Sequence, residues 1–127
     1  MTATYEHSLQ CAVADLLRLN AAPGVIWTHP PNGEHRSKRT GAKLKRMGVR
    51  AGAPDFIIIL PNRVTACLEL KAPKGSLSQA QRLWREDCRK IGVPYSVATT
   101  LHDAQDILTA WGAIGRPAQP IAMARAA

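Results

Sequence analysis

The chain has 127 residues and is 46% hydrophobic, which suits one domain with a real core and excludes wholesale disorder. Its 17 Lys and Arg against 9 Asp and Glu leave a net charge of +8, a balance that suits a polyanionic partner such as nucleic acid. No apolar run approaches the ~20 residues of a membrane helix, and MTATYEHSLQ at the start lacks the pattern of a secretory signal. Three scattered cysteines, Cys11, Cys67 and Cys88, speak against a disulfide framework and for a reducing, cytoplasmic setting.

Residues 4–19 carry Leu9, Val13, Leu16 and Leu17 as the stripe of a helix, with Thr4 placed to cap it. Ala22-Pro23-Gly24 ends that helix. VIWTH (25–29) reads as a strand, stopped by PPNG (30–33). Seven bases then fall within residues 34–50, EHRSKRTGAKLKRMGVR, opposed only by Glu34. A helix over 38–47 fits that segment but is weakly marked. DFIIIL (55–60) has β-branched residues on both faces, which predicts a strand buried on both sides. PNR (61–63) is a tight connection, and VTACLELK (64–71) is the returning strand. After APKGS, residues 78–90 form a helix with Leu83, Trp84, Cys88 and Ile91 as its apolar face and Gly92 as its cap. YSVATT (95–100) is a fourth strand. Residues 101–111 make a last helix through Ala104, Ile107, Leu108 and Trp111. Residues 112–127, rich in Ala, Gly and Pro, read as a loosely held tail. The order predicts an α/β fold with a mixed four-stranded sheet, because a helix joining the third and fourth strands makes them parallel.

Charge sits awkwardly in this pattern. Asp55 opens one apolar strand, and Glu69 and Lys71 close the next, where unpaired charge is costly. A hairpin centred on Asn62 pairs Asp55 with Glu69, Cβ atoms about 4.5–5.5 Å apart. Glu69 and Lys71, two apart, project from the same face. Two carboxylates that close stay ionised only with a cation between them. A hard ion such as Mg²⁺ binds carboxylate oxygens while keeping several waters, and it activates water and neutralises charge on a phosphoryl oxygen. Lys71 is then placed to orient the attacking water or contact the scissile phosphate. The alternative is a plain salt bridge from Lys71 to Asp55 or Glu69 at a sheet edge, and spacing leaves both open.

Pro54-Asp55 followed by Glu69-Leu70-Lys71 resembles the PD-(D/E)XK nuclease signature. More closely, PNG (31–33), GVRAGAPD (48–55), LELKAPKGSLSQAQRLW (68–84) and IGVPYSVATT (91–100) resemble the VRR-Nuc family, small nuclease domains of phage and bacterial proteins and of the Fanconi-associated nuclease. The likeness covers most of residues 6–111. It implies a restriction-endonuclease-like αβββαβα core and a Mg²⁺- or Mn²⁺-dependent DNA endonuclease of a bacterial or phage-infected cell. Matching positions make Asp55 and Glu69 the principal metal ligands, add the Leu70 main-chain carbonyl, and make Lys71 the catalytic lysine. Gln81 matches the family glutamine that opens the helix after that strand, but Ser78-x-x-Gln81 is also a capping box that needs no function. Glu6, an acid on the buried stripe of the first helix, is read as pointing at the site, as the first-helix glutamate does in many such nucleases. An acid in a first turn is also favoured by the helix dipole alone.

Arg36, Lys38, Arg39, Lys43, Lys45, Arg46 and Arg50, with Asn32 and Lys74, are read as DNA contacts that position the duplex without reading bases. Likeness to Holliday-junction resolvases implies a homodimer on branched DNA. Two rival readings are a non-catalytic nucleic-acid-binding protein and a restriction-type nuclease with sequence preference. His7, His29, His35 and His102 have no zinc spacing. Trp27, Trp84 and Trp111 are expected in the core rather than as base-stacking platforms.

Overall fold

The computed structural model describes residues 2–31 and 38–115. Its elements are α1 (Thr2–Asn20), β1 (Ile26–Thr28), α2 (Lys38–Arg46), β2 (Phe56–Ile59), β3 (Thr65–Leu70), α3 (Gln79–Ile91), β4 (Tyr95–Ala98) and α4 (Leu101–Trp111). The strands form one sheet in the order β1-β2-β3-β4. The first two joints are antiparallel and the last is parallel, because α3 is the crossover between β3 and β4. None of the described helices is long and apolar enough to cross a membrane.

Alternation along each strand divides the sheet into two faces. Phe56, Ile58, Ala66, Leu68, Leu70 and Ala98 turn to the first and are buried there. They meet Leu9, Val13, Leu16 and Leu17 of α1 and Ala104 and Leu108 of α4 in one core. Each large side chain buried in this way contributes about 1.5–3 kcal/mol, so this face holds the sheet together. The second face carries Ile57, Cys67, Glu69 and Tyr95, since these residues alternate with, or pair across from, one another in the observed register. There α3 packs on it, with the Cys88 and Cys67 sulfurs 4.0 Å apart.

The hairpin pairs Phe56 with Leu68 and Ile59 with Thr65, a register centred on Asn62. The Asn62 side-chain oxygen accepts the Val64 N–H at 3.0 Å, as Asn does in tight turns. Arg63 follows at φ +70°.

Four expectations need correction. Thr4 lies inside α1, which starts at Thr2, and does not cap it. β2 is fully buried on one side only: Phe56 and Ile58 are buried while Ile59 is 40% exposed, because the second face is covered by α3 near β3 and β4. On α3 only Cys88 is buried; Leu83 is 55% and Ile91 77% exposed. Leu83 sits about 100° around the helix from Trp84, and Ile91 is the helix's last residue. Finally, the ordered fold runs past residue 111. Gly112 caps α4, Ala113 and Ile114 are buried, and Ile114 forms a bridge to Ala21. Residues 116–127 of the expected tail lie outside the described residues.

Candidate active site

One step beyond the Phe56–Leu68 pair, the register sets Asp55 against Glu69. Asp55 is gripped from both neighbouring strands. Its carboxylate accepts the Leu70 N–H at 2.8 Å. Its carbonyl accepts from His29 Nδ1 at 2.6 Å, which makes Nδ1 the protonated nitrogen of that ring.

Glu69 is 3% exposed. Its Oε2 accepts from Gln81 Nε2 at 3.0 Å, while Oε1 is buried with no hydrogen-bond partner. The Asp55 and Glu69 carboxyls are close enough that each perturbs the other. Burial, and then the neighbouring Asp55 charge, pushes Glu69 up to about 9, with the Lys71 ammonium pulling the other way. Burial also raises Asp55, against the Leu70 N–H that lowers it. Near neutral pH the pair therefore keeps a proton unless a cation takes its place.

A single amide, that of Gln81, joins this pair to α3. Its Oε1 accepts the Ser78 N–H at 2.8 Å, and the Ser78 hydroxyl accepts the Gln81 N–H at 3.1 Å, a complete capping box. Its Nε2 is the donor to Glu69. The capping role and the contact with the site glutamate thus coexist in one side chain. Gly52 makes the approach possible. At φ +85° a Cβ there would lie 2.4 Å from the Ala80 carbonyl, so only glycine lets the loop before Asp55 pass against the first turn of α3.

Glu6 is half-buried. Its Oε2 accepts the Ala72 N–H at 3.1 Å, just past Lys71, and its charge is felt by both Asp55 and Glu69. It lies close to the pair but is engaged by backbone. Lys71 is half-buried and runs beside the loop at Gly75, whose added Cβ would sit 3.7 Å from Lys71 Cδ.

Lys38, Arg39, Lys43, Lys45 and Arg46 are exposed on α2, which buries none of its residues. Lys45 joins Asp55, Ser78 and Gln81 in lining a cleft of about 690 Å³. Lys74 is exposed on the loop after β3. Arg50 has other partners. It pairs with Asp87 at 2.8 Å, and its guanidinium lies 4.8 Å from the centre of the Trp84 ring. Asn32 and Arg36 lie outside the described residues.

Three residues have contacts that the sequence does not signal. His29 orients Asp55 through its main chain, for which proximity to Pro30 is no signal. Tyr95 shares the face of Glu69, its hydroxyl buried without a partner and its acidity suppressed by burial and by the Glu69 charge. Trp84, expected in the core, is instead half-buried and stands outside the core cluster.

The VRR-NUC domain model matches residues 5–100. No curated protein matches the chain. Among solved structures it is similar to a VRR-NUC domain protein, with 24% identity over 82% of this chain and 84% of that one and a TM-score of 0.66. It is also similar to a VRR-NUC domain, with 20% identity over 82% of this chain and 94% of that one and a TM-score of 0.57. With the family model spanning most of the α/β fold, from α1 to the end of β4, the chain belongs to the VRR-NUC domain family, a family of nuclease type.

Proposed function

We propose that this protein is a divalent-metal-dependent DNA endonuclease, using Mg²⁺ or Mn²⁺ to hydrolyse phosphodiester bonds in branched or junction DNA. The observation that carries the reading is the buried Asp55–Glu69 pair with its unpartnered Glu69 Oε1. A buried acceptor without a donor is costly, and a hard cation satisfies it while removing the repulsion between the carboxylates. Among the described residues no cluster of three or more His, Cys, Asp or Glu could hold a metal ion, so an ion here would draw on the carboxylate pair, main chain and water. Asp55 and Glu69, with the Leu70 main-chain carbonyl, would hold it, and when bound it supplies Lewis-acid polarisation of a phosphoryl oxygen and a more acidic water.

The chain's own groups do the rest. Lys71, whose charge reaches Glu69, places an ammonium where negative charge grows on the scissile phosphate. Gln81 fixes the rotamer of Glu69, and His29 and Leu70 fix Asp55. Glu6 ties α1 to the exit of β3, beside the catalytic lysine. The exposed bases of α2, with Lys74, grip the DNA backbone. A C2 homodimer would present two such sites to a symmetrical junction.

The test is digestion of labelled four-way junctions, forks, flaps and plain duplex in Mg²⁺, Mn²⁺ or EDTA. Cleavage near the branch in either metal, and none in EDTA, is expected. A single defined cut site in plain duplex contradicts the branched substrate, and cleavage that persists in EDTA contradicts the metal.

A further inference from the structure

The second face of the sheet, where α3 leaves β2 uncovered, opens into an apolar cleft of about 370 Å³, within the ~300–1,000 Å³ range of small-ligand sites. Pro30, Pro31, Val49, Ile57, Trp84 and Arg50 line it. Val49, Arg50 and Ala53 also line the cleft that holds Asp55, so the two spaces adjoin.

The lining restricts what fits. Arg50 is the one charged group in the walls, and Asp87 already holds its guanidinium, so a phosphate finds little to bind. The two planar groups present, the Trp84 indole and the Arg50 guanidinium, are already stacked at 4.8 Å. Asp87 pins the guanidinium, so a flat partner meets a preordered pair and little side-chain freedom is lost on contact. The basic helix α2 borders both spaces, with Leu44 lining each and Lys45 lining the cleft of Asp55, and draws in a polyanion. A flat, largely apolar group carried on an anionic chain is a nucleobase.

We propose that this cleft takes one unpaired nucleobase of the bound DNA, stacked against the Trp84–Arg50 pair, with the attached phosphate in the adjoining cleft that Asp55 lines. The placement of that phosphate rests on the nuclease reading of the carboxylate site. The cleft narrows the substrate class to DNA with an unstacked base at the point of attack. Branches, flaps and bulges supply such a base at low cost, whereas intact duplex must first unpair one.

The test is equilibrium binding, by fluorescence anisotropy in EDTA, of a duplex with a single-adenine bulge and of the same duplex with an abasic residue in the bulge. The protein should favour the base-bearing bulge about ten-fold, the scale of one base–aromatic stack. Trp84→Ala should lose that preference, and Trp84→Phe should keep it. Val49→Trp, at a position 41% exposed, fills the cleft while leaving residue 84 unaltered and should lose it too. Equal affinity of the unaltered protein for the two bulges overturns the proposal. So does a preference that survives in the folded variants, and Val49→Trp secures that arm if Trp84→Ala does not fold. Cleavage in Mg²⁺ or Mn²⁺ reports separately. A base preference without cleavage supports the cleft and contradicts the nuclease, and cleavage without a base preference does the reverse.

Discussion

Asp55 and Glu69 meet because a turn at Pro61 and Asn62 leaves two strands in one register, and that much is legible in the residues. A slip of one position would send the two carboxyls to opposite faces. The observed Phe56–Leu68 pairing excludes that slip. The contacts of His29 with the Asp55 carbonyl and of Glu6 with the Ala72 amide are less legible, since each joins residues far apart in the chain through main-chain atoms. The consequence for protonation is direct. Burial and Asp55 raise Glu69 from 4.5 to about 9, so between those values the folded, metal-free protein holds a proton that the unfolded chain has released. The stabilisation from neutral Glu69 is therefore complete below the unfolded value and falls as pH rises through that window. Thermal melts in EDTA from about pH 5 to about pH 9 should show a decline that Glu69→Gln flattens. Mg²⁺ should raise the melting temperature more at the alkaline end, since it competes with the shared proton. An unaltered protein and a Glu69→Gln variant with parallel pH profiles would count against the buried pair.

At the scale of elements, α3 is where the site is assembled, and its N-terminus does more than its apolar stripe. The stripe misleads: Leu83 and Ile91 look like core positions, but a helix buries only what has something opposite, and its own residues do not record how far the sheet extends beneath it. The Ser78–Gln81 box is legible, whereas the reach of Gln81 to Glu69 depends on Gly52 letting two backbones close up. Gly52→Ala should destabilise the protein by about 2 kcal/mol or more, from the left-handed φ and the clash with Ala80 together. Gly48→Ala, at φ +104° with nothing near its added Cβ, carries only the backbone cost, about 1 kcal/mol. Denaturant midpoints for the two variants check the difference, and equal losses would mean that the Gly52–Ala80 approach is unimportant. Gln81→Glu separates the roles of residue 81. Glu also completes a capping box, so the cap survives, but a third carboxyl now faces Glu69. Its metal-free stability should fall below that of the unaltered protein most steeply as pH rises through about 9, where Glu69 loses its proton and two charges face each other.

Across the whole molecule the +8 charge is unevenly spread. Lys38, Arg39, Lys43, Lys45 and Arg46 stand exposed on a helix with no buried residue, and Lys45 of that helix lines the cleft that contains Asp55. The charge run is plain in the sequence, but that it borders the carboxylates is a matter of chain path. Arg50, at the end of the same run, is instead bound to α3. If α2 holds DNA phosphates, log affinity falls linearly with log salt, each contact adding about 0.9 to the slope. Replacing Lys43 and Arg46 together by Gln should then flatten the slope by about 2, and an unchanged slope would remove α2 from the interface. The central claim is that Asp55, Glu69 and Lys71 form one hydrolytic site. Its most direct test is single-turnover cleavage of a four-way junction in Mn²⁺ by the unaltered protein and by Lys71→Ala, with DNA binding measured alongside. Lys71→Ala should retain binding and cleave about 10²–10³-fold more slowly, the scale of losing one group that stabilises transition-state charge. A Lys71→Ala protein that cleaves at the unaltered rate would contradict that claim.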